Sequence, residues 1–198
     1  MSTSKKRKSN FALELWHYRE ILKRTLVRKG ATMDEALLFL RVVLALLIFG
    51  HAAQKLFGWF QGNGVTKHGA IFESFGLKPG KLMVLVAGVT ELIGAALIAS
   101  GALTLLGATM ILSTMLVAIA FLFPKGIWGH LGGYEVAFSY AAITVALMLA
   151  GPGKYSIDAS LGLDFTGLGF AAAGIGAAVI GASPLIIMLS SFRKKASA

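Results

Sequence analysis

The chain has 198 residues, of which 56% are hydrophobic and 14% charged, and its mean hydropathy is +0.75. An ordinary soluble domain carries roughly 25% charged residues, so soluble folds are not competitive and an all-α integral membrane protein is expected. The net charge is +10, and there is no cysteine, which excludes disulfides, CxxC redox chemistry and thiolate-ligated iron–sulfur clusters.

The positive charge is concentrated at the amino terminus. Lys5, Lys6, Arg7, Lys8, Arg19, Lys23, Arg24, Arg28 and Lys29 all precede residue 30. Beside membrane spans this reads as a cytoplasmic tail held by the positive-inside bias and by anionic lipid, and not as a nucleic-acid surface. Its length, and that of the apolar run after it, do not fit a cleavable signal peptide. Within 9–29, Phe11, Leu15, Tyr18, Leu22 and Leu26 fall at helical spacing. Two readings stand here, an amphipathic surface helix and a loosely ordered basic tail. Thr32, followed by Asp34 and Glu35, then predicts a helix start with acids in its first turn.

Five apolar segments follow, at 36–58, 82–100, 102–123, 134–151 and 167–190. At about 1.5 Å per residue each approaches the ~30 Å of the hydrocarbon core, the second and fourth being short. The turn at Ser100 and Gly101 makes the second and third segments antiparallel neighbours. Residues 59–81 contain a predicted short amphipathic helix around Ile71, Phe72 and Phe75. Gly151-Pro152-Gly153 terminates the fourth segment. With the basic tail inside, 59–81 and 124–133 face outward. Arg193, Lys194 and Lys195 then also face outward, against the positive-inside bias, so 167–190 reads as a fifth span or as a segment that does not fully cross.

Four charged or titratable residues lie within the first two spans: Arg41, His51, Lys55 and Glu91. A charge at the bilayer centre costs at least ~2.5–3.5 kcal/mol, so such residues need partners. With Arg41 at zero on a helical wheel, Lys55 falls at about −40° and His51 at about −80°, one shared sector. Arg41 lies about 9 Å to the inner side of the span's middle, His51 about 6 Å and Lys55 about 12 Å to the outer side. Glu91, midway along the second span, is therefore expected to reach Arg41 or His51. Ala87, Glu91, Gly94 and Ala95 share a face, with Gly88 adjacent, which predicts a close helix contact around the acid. Both a register-fixing ion pair and a proton-handling or ligand-anchoring site fit this pattern. Trp59, Phe60, Trp128 and Tyr134 cluster at the outer boundary, as interfacial aromatics do. His51, His68 and His130, with Glu73 and Glu135, show no metal-ligand spacing, and no metal site is expected. Only His51 suits intramembrane haem ligation, so haem held by this chain alone is not expected either.

The ordered set Arg41…Gly50-His51…Lys55-Leu56-Phe57-Gly58, Phe72…Phe75-Gly76-Leu77-Lys78-Pro79, Glu91-Leu92-Ile93-Gly94, Gly101, Gly132-Gly133-Tyr134-Glu135 and Gly151-Pro152-Gly153-Lys154-Tyr155-Ser156-Ile157-Asp158 resembles the DoxX family of small bacterial membrane proteins over residues 36–165. The resemblance implies a four-helix transmembrane bundle at 35–165 in the bacterial cytoplasmic membrane. The basic tail 1–34 and an additional C-terminal transmembrane helix in 166–198 lie outside it. It further implies a subunit of a quinone-linked oxidoreductase or a partner in membrane redox complexes, with links to quinone or thiol stress.

On that reading Arg41, His51 or Lys55 donates to a quinone headgroup, and Trp59 or Trp128 flanks its ring. Glu91 relays protons, so the catalytic roles fall to Glu91 and His51. With no electron carrier in the chain, a redox partner protein supplies electrons. The alternative is a non-catalytic scaffold that recruits a soluble oxidoreductase, the charged cluster being a structural ion-pair network. Membrane lipids and further copies of the chain complete the expected partners. A transporter formed by oligomerisation ranks below both, since no broken-helix repeat signals it.

Overall fold

A computed structural model describes residues 3–196; before residue 32 the described side chains are Trp16, His17, Arg19, Glu20, Ile21 and Lys23. Among the described residues all regular structure is helical. In chain order the helices are α1 (Thr3–Leu56), α2 (Gly64–Ser74), α3 (Gly80–Ser100), α4 (Thr104–Leu122), α5 (Glu135–Ala150), α6 (Ile157–Ser160) and α7 (Leu168–Ala196). Two short 3-10 turns, Phe123–Lys125 and Gly129–Leu131, connect α4 to α5. The chain is an all-α membrane protein.

Two units divide the chain, Met1–Ala36 and Leu37–Ala198. In the first unit the helix start expected at Thr32 does not occur, because α1 is already helical from Thr3. Six of the eight residues 22–29 are Leu, Lys or Arg, which favour helix, and no proline interrupts α1. A capping residue starts a helix only where the preceding chain leaves it, and here the preceding residues favour continuing. The face expected from Phe11, Leu15, Tyr18, Leu22 and Leu26 lies outside the described side chains.

Among the described residues, four helices are long and apolar enough to cross a membrane: Thr32–Leu56, Gly80–Ser100, Thr104–Lys125 and Leu168–Ala196. Of the two segments expected to be short, only the fourth is: α5 has 16 residues, or about 24 Å at 1.5 Å per residue, whereas α3 has 21 and is long enough to cross. Helix α4 is central to the second unit and packs on α3, α5 and α7. Helices α3 and α4 form the expected antiparallel pair. The core combines Leu44, Ile48, Ile98, Ile111 and Leu147 with small residues such as Gly88, Gly94, Ala95, Ala108 and Ala178. Small residues let backbones approach where lipid tails remove any hydrophobic reason to associate. Outward-facing Leu46, Leu106 and Ile180 are half-exposed or more, as lipid-facing side chains are.

Two local devices hold α7 in place. Pro184 lies inside the helix and cannot donate to the carbonyl four residues back, that of Ile180. The Ser183 hydroxyl donates to that carbonyl at 2.8 Å. At the far end, Arg193 Nη2 donates to the carbonyls of Ala120 (2.7 Å) and Phe121 (3.0 Å), which lie in the last turn of α4. Carbonyls in a last turn have no intrahelical partner.

Candidate functional site

Arg41 is 1% exposed, and its guanidinium is consumed by backbone carbonyls. Nε donates to Ile98 O at 3.0 Å and Nη2 to Ala99 O at 3.1 Å, both in the last turn of α3. Nη1 donates to Pro152 O at 2.6 Å and to Tyr155 O at 3.0 Å. The planar fork thus ties a helix terminus to a loop that follows it by some fifty residues. Gly101, which ends α3 with φ +66°, is where the chain passes beneath this fork: a Cβ there would stand 2.7 Å from Arg41 Nη2. Asp158 supplies the matching anion. Its carboxylate accepts from Leu103 N (2.7 Å) and Thr104 N (2.8 Å), capping the start of α4, while its own N–H donates to Gly101 O at 2.8 Å. Ser156 caps α6 by accepting from Ala159 N at 3.1 Å. The stretch 151–158 is therefore a structural knot.

Glu91 has a different partner from either one expected. Lys55 Nζ bonds both of its carboxylate oxygens, at 2.5 and 2.6 Å, with the Glu91 side chain 1% and the Lys55 side chain 18% exposed. The angle around α1 puts Lys55 in the sector that faces Glu91, but the depth of its Cα along the axis leaves out the lean of the side chain. A helical Cα–Cβ bond tilts toward the helix N-terminus. Lys55 therefore leans back along α1 into the bundle, and Glu91, on antiparallel α3, leans the opposite way to meet it. By the same rule Arg41 leans away from Glu91, toward the end of α3.

The pair stands in the wall of a cavity of about 410 Å³, within the ~300–1,000 Å³ range of small-molecule sites. His51, His68, Thr90, Ser113, Thr114 and Tyr140 add polar atoms to this wall. Apolar cover comes from Phe72, Leu77, Met83, Met115, Phe121 and Leu185, among others. His51 meets Tyr140 edge to face at a centroid distance of 5.6 Å. His68 stands on α2, outside the spans, at 6.0 Å from Phe72. Burial, and after it the positive charge of Lys55, hold the His68 imidazole below its usual range, so it is neutral at pH 7.

Of the residues the sequence nominated, His51, Lys55 and Glu91 line one cavity, whereas Arg41, Trp59 and Trp128 do not. Trp59 packs in an aromatic group with Phe49, Phe57 and Phe60 and is 52% exposed, and Trp128 is 57% exposed. Both fit the interfacial belt. Glu73 and Glu135 are engaged locally, accepting from Gly80 N and Gly129 N at 2.8 Å each. Tyr140 and His68 were not nominated as ligand-binding residues. The available signal was weak: each is a lone polar residue in an apolar or loop context.

Residues 36–124 match the DoxX family model. This stretch is similar to a DoxX domain. No curated protein and no solved structure matches the chain. The matched DoxX stretch holds Arg41, His51, Lys55, His68 and Glu91. Helices α5 and α7 and the 151–158 knot lie beyond it. Even so, they complete what the DoxX stretch begins. Pro152 and Tyr155 accept from Arg41, and Tyr140, Gly181 and Leu185 close the cavity wall.

Proposed function

We propose that this protein is a membrane component of a quinone-linked redox system and that its cavity binds a quinone or a similar small molecule. The observation that carries the reading is the cavity itself. A volume of about 410 Å³ walled mainly by apolar side chains, with the Lys55–Glu91 pair, His51, His68 and Tyr140 as its polar part, suits a flat apolar ring bearing oxygens. The two carbonyl oxygens of a quinone need donors, and Lys55, His51 and Tyr140 are available in kind. Glu91 is the group able to exchange protons with a reduced quinone, while Arg41 keeps the helices in place without touching the ligand. Electrons come from a partner protein. The nine basic residues before residue 30 support a cytoplasmic amino terminus, in a bacterial cytoplasmic membrane.

The test is direct titration of the purified protein, in lipid nanodiscs, with a short-chain ubiquinone, together with extraction and analysis of lipids that co-purify. Saturable binding is expected, and Gly181→Leu, which adds bulk at the cavity wall near Ser113, is expected to abolish it. Absence of both titratable binding and co-purified quinone refutes the reading.

One observation favours a scaffold that recruits a soluble oxidoreductase. Both Glu91 oxygens are taken by Lys55, and four Arg41 bonds go to carbonyls, as a purely structural network requires. Under that reading a Lys55→Met, Glu91→Leu double variant captures the same soluble partner as the wild type.

A further inference from the structure

The proposal that the cavity holds a quinone-like molecule leaves open which groups touch it, and α2 supplies one from outside the spans. This short helix is held against the start of α3 by two interactions. Gly69 and Gly80 meet backbone to backbone, so closely that a Cβ on Gly80 would stand 2.0 Å from Gly69 O. Glu73 then caps α3 through Gly80 N at 2.8 Å. His68 immediately precedes Gly69, so its position is set by this contact rather than by its own bonds. Its ring is framed by Phe72, which in turn packs on Phe121 at 5.6 Å, and it forms part of the cavity wall.

The two nitrogens of His68 are not equivalent. Nδ1 is buried and has no hydrogen-bond partner. A neutral ring carries one N–H and one bare nitrogen, and a proton on Nε2 avoids burying an unpaired N–H at Nδ1. Nε2 is then the one polar atom of the side chain left to serve a ligand, and it is a donor. We infer that His68 is a ligand-binding residue, donating from Nε2–H to a carbonyl-type oxygen of the molecule in the cavity. The ligand class is narrowed accordingly. It is a neutral ring compound with an accepting oxygen directed toward α2, in addition to whatever oxygen meets the Lys55–Glu91 pair, whose charges cancel and leave no net charge to attract an anion.

This assignment rests on the cavity reading above, and the same titration can separate the two. His68→Gln carries a side-chain amide to about the position of Nε2, His68→Asn carries one only to about Nδ1, and His68→Phe keeps the ring shape without a polar atom. With a short-chain ubiquinone as the probe, at pH 7.5, Phe and Asn are expected to weaken Kd by about tenfold, the worth of one buried hydrogen bond, and Gln to retain it within about threefold. Size-exclusion profiles and helical circular dichroism identify variants that fold. Wild-type-like binding by His68→Phe overturns the inference and leaves the cavity reading standing. So does retention by Asn with loss by Gln, or equal loss in all three. No binding by the wild-type protein overturns the cavity reading and the His68 assignment together.

Discussion

The Lys55–Glu91 pair makes a quantitative test of the bundle. Glu91 is 1% exposed, and both its oxygens lie within 2.6 Å of the ammonium group of Lys55, a side chain that is 18% exposed. At an effective dielectric of about 20, charges at this separation attract by about 6 kcal/mol, and desolvation of the two ions offsets most of it. The net value of the intact pair is therefore small. Breaking it is not, because Lys55→Met keeps the volume but leaves a carboxylate buried without a counter-charge, at a cost of about 3–5 kcal/mol. Replacing both, as Lys55→Met with Glu91→Leu, removes the stranded charge and is expected to fall within about 1–2 kcal/mol of wild type. The assay is sodium dodecyl sulfate-driven unfolding in mixed micelles, followed by tryptophan fluorescence and circular dichroism across the double-mutant cycle. A Lys55→Met cost below about 1 kcal/mol, or a double variant no more stable than the single, refutes the reasoning that the pair is buried and exclusive.

Two further outcomes are expected. Arg41→Lys cannot reproduce a fork that bonds four carbonyls and is expected to lose about 3–5 kcal/mol of stability in the same unfolding assay. Protein that remains folded should bind quinone with unchanged Kd, and a selective loss of binding would place Arg41 in the ligand site instead. Stability is also expected to depend on pH through His68. Burial and Lys55 lower its pKa in the folded state, so the unfolded chain binds the extra proton first. Stability conferred by the neutral ring is therefore present above about pH 6.5 and is lost as pH falls below it. Subtracting the pH profile of His68→Phe from that of wild type isolates this contribution, and a flat difference between pH 5 and 7.5 would contradict it.

Membrane insertion, the helical class, the tight α3–α4 turn and the sector shared by His51 and Lys55 were legible in the sequence. Each depends on a local property: hydropathy over some twenty residues, a glycine at a turn, or the angle between neighbours on one helix. The basic tail was legible as charge, yet the Thr32 start failed because a cap competes with the helix preference of the residues before it. The partner of Glu91 was not legible, since Cα depth along an axis omits the lean of side chains toward their own N-termini, and two antiparallel helices add that error twice. Arg41 was read as part of the ligand site because cost in the membrane marks a buried charge without saying what satisfies it. That answer came from Pro152, 111 residues away, and from a loop whose landing place no local pattern specifies. The cavity likewise belongs to no single segment: α1, α2, α3 and α4 begin it within the DoxX stretch, and α5 and α7 close it through contacts that exist only once the chain has folded.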